Sequence, residues 1–155
     1  MWLYHGTYDM YYDDIKKSKV IRYDINKSDS TVKLDELINK IAGRKLRGNC
    51  VYLTSDVECV EGFDRSIRIS TSWLDTNRLF VADNRYLDLA YFEWMNSRVI
   101  GNKYTIAYIN SYMTFDEYIK ALKTKDKKKL PDGYSAEFLY FGCIPLDRNI
   151  RRSHG

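Results

Sequence analysis

Apolar residues recur along the chain with two different periods, and the changes of period mark out its elements. Leu34, Leu37, Ile38 and Ile41 follow helical spacing, so a helix is expected over 32–42, with Gly43 placed to end it. Leu87, Tyr91, Trp94 and Met95 fall on one helical face and predict a helix over 84–97, with Asn84 as its cap. Thr114-Phe115-Asp116-Glu117 has the order of a capping box ahead of Tyr118, Ile119 and Leu122, which predicts a helix running into a lysine-rich stretch. A shorter helix is expected over 10–17, because its closing lysines suit the negative end of a helix dipole. Short β-branched and aromatic runs predict strands over 1–4, 50–54, 104–109 and 137–144, the last closed by Pro145. Between 58 and 83 the pattern is mixed: Ile67, Ile69 and Thr71 alternate like a strand, while Trp73 and Leu74 indicate a turn onto the core. Pro131-Asp132-Gly133 forces a turn. Helices and strands do not strictly alternate, so the expected class is α+β. Without an internal repeat or a low-complexity linker, 1–155 is expected to form a single domain.

Composition narrows this further. A chain of 155 residues, 45% hydrophobic and 30% charged, can bury a core without metal or disulfide staples. Cys50, Cys59 and Cys143 are odd in number and scattered without a CxxC pair, which argues against a disulfide framework and against a structural zinc site. No metal is expected. A nucleophilic cysteine needs a histidine partner, and only His5 and His154 exist. No apolar run approaches the roughly 20 residues of a membrane helix, and the N-terminus lacks the order of a secretory signal. The expected location is therefore the cytoplasm of the producing or host cell, with no membrane partner. The net charge of +4 is modest, with basic residues gathered at Lys120–Lys129 and at Arg148, Arg151 and Arg152. Such tracts meet acidic partners or simply form solvated surface. The 14 tyrosines add polar-tipped rings on which ligands can stack.

Three segments carry candidate chemistry: Leu3-Tyr4-His5-Gly6-Thr7, Val51-Tyr52-Leu53-Thr54-Ser55-Asp56 and Ser135-Ala136-Glu137-Phe138-Leu139. A histidine beside a glycine at the end of a first strand can bond a hydroxyl while the bare backbone admits a close ligand. A strand tyrosine offers a flat face, and a carboxylate entering a strand after a Pro-Gly turn can steady a developing cation or orient an acceptor. In this order the three segments resemble the His-Tyr-Glu signature of the ADP-ribosyltransferase superfamily, in its small bacterial and phage form and in the poly-ADP-ribose polymerase group. The stretch from Ala136-Glu137-Phe138-Leu139 through Gly142, Ile144-Pro145 and Ile150 is similar to the glutamate strand of DarT-type toxins, which modify thymidine in DNA. The N-terminal half does not follow the DarT pattern.

That resemblance implies an ADP-ribosyltransferase-like split β-sandwich with flanking helices. It implies NAD as co-substrate, bound by His5, Gly6, Thr7, Tyr52 and Ser55, with Glu137, His5 and Tyr52 as the catalytic set. The implied activity is mono-ADP-ribosyl transfer to a macromolecular acceptor, protein or nucleic acid, in a toxin or phage effector; the sequence does not fix oligomeric state. Ser55, Ser70 and Ser72 are alternative grips for the nicotinamide carboxamide. Ser70-Thr71-Ser72 also matches one element of the arginine-type branch of the superfamily, but His5 stands where that branch has arginine. Ser135, two residues before Glu137, cannot orient a guanidinium as a carboxylate or amide would. The alternatives are a catalytically inactive module that binds NAD, ADP-ribose or nucleic acid, and an unrelated nucleic-acid-binding domain using its tyrosines and lysines.

Overall fold

The N-terminal strand β1 (Trp2–Thr7) is longer than its pattern of apolar residues, because a second strand, β4 (Arg65–Ser70), pairs antiparallel along all of it, from Trp2↔Ser70 to Thr7↔Arg65. His5 therefore lies inside the strand rather than at its end. These strands come from a computed structural model that describes residues 1–25, 27–96 and 102–147. The chain divides into two units. Of the described residues, the first holds those in Met1–Asp24, Asn49–Leu79 and from Phe138 to Asp147; the second holds those in Ile25–Gly48 and Phe80–Glu137.

In the first unit, helix α1 (Asp9–Ser18) follows β1 and ends at Lys19 in the left-handed region, φ 60°. Strand β2 (Val20–Ile21) comes next, and strand β3 (Val51–Thr54) lies antiparallel on the other side of β1, registered at Tyr4↔Thr54. The strand over 65–70 confirms the alternation of Ile67 and Ile69, and Thr71–Trp73 forms the expected turn as one turn of 3-10 helix. Leu3, Val51, Leu53 and Ile69 are buried between these elements.

Two further strands depart from expectation. β5 (Leu79–Asp83) has no period-two pattern to betray it, because four of its five residues are buried; strands covered on both faces read as continuous runs. The final strand is broken in two. β7 (Ala136–Tyr140) stops where the Phe141 amide turns to the Arg78 carbonyl at 2.9 Å. β8 (Ile144–Pro145) instead pairs with β2, placing buried Ile144 opposite buried Ile21. Within the first unit the strand order is β4-β1-β3 and then the Phe138–Tyr140 part of β7.

The second unit is mainly helical. α2 (Asp29–Ala42) extends three residues beyond its expected start, because the Ser28 hydroxyl accepts from the Thr31 amide. It ends at Gly43, whose φ of 72° suits a residue without a Cβ. α3 (Asn84–Met95) starts as expected but ends at Met95, with Asn96 already outside the helix, and its cap is Asp83, whose carboxylate accepts from the Arg85 amide at 3.1 Å. Ser97, the expected last residue of that helix, lies outside the described residues.

The run expected as a strand over 104–109 is helical, α4 (Lys103–Ser111). Its β-branched and aromatic composition favours a strand, yet Thr105 and Tyr108 stand one turn apart and are both fully buried. The helix packs against α3 and α2, and that burial outweighs weak local propensity. A short strand β6 (Met113–Thr114) pairs with β5 and leads into α5 (Phe115–Thr124), where the Thr114 hydroxyl accepts from the Glu117 amide, as the capping box predicts. The Pro131-Asp132-Gly133 turn is closed by the Tyr134 amide on the Pro131 carbonyl at 3.0 Å, with Gly133 at φ 83°. The fold is thus α+β, with five helices and antiparallel strand pairs among the described residues.

Among the described residues no two cysteines are joined; Cys50 is buried, and Cys59 and Cys143 are exposed. No helix among them is long and apolar enough to cross a membrane. Among the described residues no group of three or more His, Cys, Asp or Glu is placed to hold a metal ion.

Candidate functional site

Each unit carries one part of the candidate chemistry. In the first unit the ladder between β1 and β3 is short, and beyond the Tyr4↔Thr54 pair the His5 ring takes over. Its Nδ1 lies 3.1 Å from the Tyr52 carbonyl oxygen. A carbonyl can only accept, so Nδ1 carries the proton, and in the neutral ring Nε2 is left as an acceptor. Burial pushes the His5 pKa below its ordinary value, opposed by the Tyr52 carbonyl and by the charge of Asp24. His5 is thus a neutral imidazole of fixed tautomer near pH 7, suited to accept from a hydroxyl group. The contact joins His5 to the main chain of Tyr52. Along β3 the Tyr52 side chain alternates with buried Val51 and Leu53 and is itself half-buried.

Gly6 has a local explanation that the sequence does not disclose. A Cβ at this position would stand 2.4 Å from Cδ2 of Phe63, so the ring of Phe63 closes over the glycine. Phe63 packs in turn on Tyr8, with centroids 5.1 Å apart. Thr7 is buried and paired with Arg65, while Ser55 is exposed. Ser70 and Ser72 bond each other at 2.8 Å, and the Ser70 hydroxyl accepts from the Ser72 amide. The serine pair therefore stabilises the turn after β4.

Glu137 belongs to the second unit, at the start of β7, and is only 9% exposed. Its Oε1 accepts from Arg47 Nη1 at 2.8 Å, and its Oε2 is buried with no hydrogen-bond partner. The Arg47 Nη1 group also donates to the Tyr108 hydroxyl at 2.7 Å, and Nε donates to Asp35 Oδ1 at 2.8 Å. Lys27 Nζ lies 3.7 Å from the other Asp35 oxygen. Tyr108 is fully buried; burial pushes its phenol well above the usual range, Arg47 opposes this, and the Glu137 charge adds to it.

The lead into β7 is also pinned. Buried Asp83 accepts from the Ser135 amide at 3.2 Å and holds the Arg85 guanidinium at 2.7 Å, while the Asn84 amide donates to the Ser135 carbonyl at 2.8 Å. Burial raises the Tyr134 pKa, helped by the charge of Asp83, and its hydroxyl donates to the Ser111 carbonyl.

His5 and Tyr52 are therefore brought together in the first unit through a ring-to-main-chain bond, and Glu137 is set in a buried ion cluster in the second. Arg47, Asp35, Lys27 and Tyr108 escape a sequence reading because none belongs to a recognisable motif. Asp35 occupies a polar position between Leu34 and Leu37, and Tyr108 lies in the run whose composition predicts a strand. Compared with protein-family models, with curated proteins and with solved structures, the chain gives no match to any of them.

Proposed function

We propose that the chain is an NAD-dependent mono-ADP-ribosyltransferase of the His-Tyr-Glu type, with an ADP-ribosyltransferase-like split β-sandwich fold. NAD brings the reactive group: its ribosyl carbon gives up nicotinamide and bonds to an acceptor, which releases a proton. His5 contributes Nε2 as an acceptor for a ribose hydroxyl, held in the right tautomer by the Tyr52 carbonyl. Tyr52 offers a half-buried ring on which the pyridine ring can stack. Gly6, Thr7 and Ser55 line the segments that carry these two residues. Glu137 supplies negative charge where the transition state gains positive charge, or takes the proton from the acceptor.

The observation that supports this reading best is the uneven use of the Glu137 carboxylate. A buried acceptor without a donor costs about 1–3 kcal/mol, and Asp35 Oδ2 and Glu93 Oε1 carry the same cost as Glu137 Oε2. In Glu137 the engaged oxygen is Oε1, on the Arg47 fork, and Oε2 keeps its bonding capacity for a substrate that reaches it. His5 shows the same division, with Nδ1 engaged by the protein and Nε2 placed to accept.

The acceptor is a macromolecule, protein or nucleic acid, and the chain fits the role of a toxin or phage effector acting in the cytoplasm. Incubation with NAD labelled in the adenylate half and a cell lysate tests the reading. Release of nicotinamide together with label in macromolecules is expected, and removal of that label by protease or by nuclease identifies the acceptor class. NAD binding without nicotinamide release would instead support an inactive binding module.

A further inference from the structure

The ion cluster around Glu137 has features that a simple structural pair does not need. Arg47 is only 4% exposed, and its guanidinium bridges Asp35, Tyr108 and Glu137, from α2, α4 and β7. Its main chain is clamped as well. The Asn39 side-chain oxygen accepts from the amides of Leu46 and Arg47, and the Asn39 side-chain nitrogen donates to the Arg47 carbonyl. Tyr112 donates to the Leu46 carbonyl at 2.9 Å, and Lys27 donates to the Gly48 carbonyl at 2.5 Å. An arginine at the exit of a loop is thus fixed at both backbone and side chain, and its planar fork meets several partners in set directions. One Glu137 oxygen is held by this fork, and the other is left without a protein partner.

We infer that Arg47 is a positioning residue for Glu137: it locks one carboxylate oxygen and thereby fixes the plane of the carboxylate and the direction of its other oxygen, with Asp35 and Tyr108 holding the guanidinium and Lys27 beside Asp35. The inference rests on the function proposed above. Arg47 itself touches no reacting atom. A carboxylate held by one oxygen cannot swing to satisfy the other, so its cost of ordering is met before substrate arrives. Two cations and two carboxylates balance the cluster, which allows it to be buried without a net charge.

Steady-state nicotinamide release from NAD by the full chain tests this, comparing wild type with Arg47→Met, Arg47→Lys and Tyr108→Phe. Arg47→Met is expected to lower kcat about 100-fold, the effect of misplacing a reacting group by about 1 Å, while KM for NAD stays within about threefold. Added guanidinium ion at millimolar concentration is expected to restore part of the rate. Arg47→Lys is expected to fall short of wild type, because a point charge cannot bridge three partners. A wild-type chain that releases no nicotinamide overturns the proposed function and the inference with it. An active wild type with an equally active, folded Arg47→Met overturns the inference alone. So does a folded Arg47→Met whose loss lies entirely in KM, or one that guanidinium does not rescue. If circular dichroism shows Arg47→Met unfolded, Tyr108→Phe decides. It keeps the ring and removes one anchor of the guanidinium, and a kcat loss of about tenfold at unchanged KM is expected; an unchanged kcat overturns the inference.

Discussion

His5 shows how one hydrogen bond assigns a chemical role. Its Nδ1 proton is committed to the Tyr52 carbonyl, and burial keeps the ring neutral below its ordinary titration range. NAD affinity is therefore expected to hold as pH falls from 8 through 6.5, and to weaken only at lower pH, where Nε2 takes a proton and ceases to accept; calorimetric titration across that range checks this. The same shift links to stability. The unfolded ring binds a proton near pH 6.5 and the folded ring only at lower pH, so its contribution is complete above about pH 6.5 and is lost as pH falls toward the folded value. Urea unfolding at pH 7.5 and pH 5 should show wild type losing more stability on acidification than His5→Asn, and equal losses would contradict the assignment. Gly6 is a second case. Gly6→Ala drives a methyl group into the Phe63 ring, and overpacking of this kind costs about 1–3 kcal/mol. Most of that loss should disappear when Gly6→Ala is made in a Phe63→Ala background, as measured by urea midpoints. If the loss in stability persists there, Phe63 is not the reason for the glycine.

At the scale of elements, the chain was legible wherever local chemistry and tertiary packing agree. The helices over 9–18, 29–42 and 115–124 announce themselves through spacing and end signals, and the strand bearing Tyr52 through its β-branched and aromatic run. Legibility failed where packing overrode composition. Residues 104–109 look like a strand, yet Thr105 and Tyr108 are drawn into one buried helical stripe. β5 hides because it is buried on both faces, and β8 because its pairing with β2 depends on residues more than a hundred positions away. The caps separate these cases by experiment. Thr114→Ala should cost about 1 kcal/mol through loss of the Glu117 amide bond. Asn84→Ala should change stability by less than about 0.5 kcal/mol, since Asp83 caps α3. Asp83→Ala should exceed both, because it unpairs Arg85 and frees the Ser135 amide. Thermal unfolding of the three variants checks the order, and a large loss for Asn84→Ala would contradict the Asp83 cap.

For the whole molecule, the sequence named the candidate residues but not their surroundings. His5, Tyr52 and Glu137 could be picked out as residue types in an ordered series, whereas the Arg47 cluster could not, because it gathers residues 27, 35, 47, 108 and 137 through folding alone. The lysine-rich stretch after α5 proves partly engaged, with Lys127 on Asp132 and Lys129 on Glu117; such exposed pairs contribute little to stability. Truncating Arg47 should be costly by comparison, about 3–5 kcal/mol, because it leaves buried Glu137 without its cation and Asp35 with Lys27 alone. The central claim is that Glu137 acts in the transition state while His5 acts in binding. Its most direct test is a paired measurement on Glu137→Gln: the dissociation constant for NAD and the rate of nicotinamide release. An NAD affinity within about threefold of wild type and a rate lowered at least about 100-fold are predicted. A variant that releases nicotinamide as fast as wild type would contradict the claim.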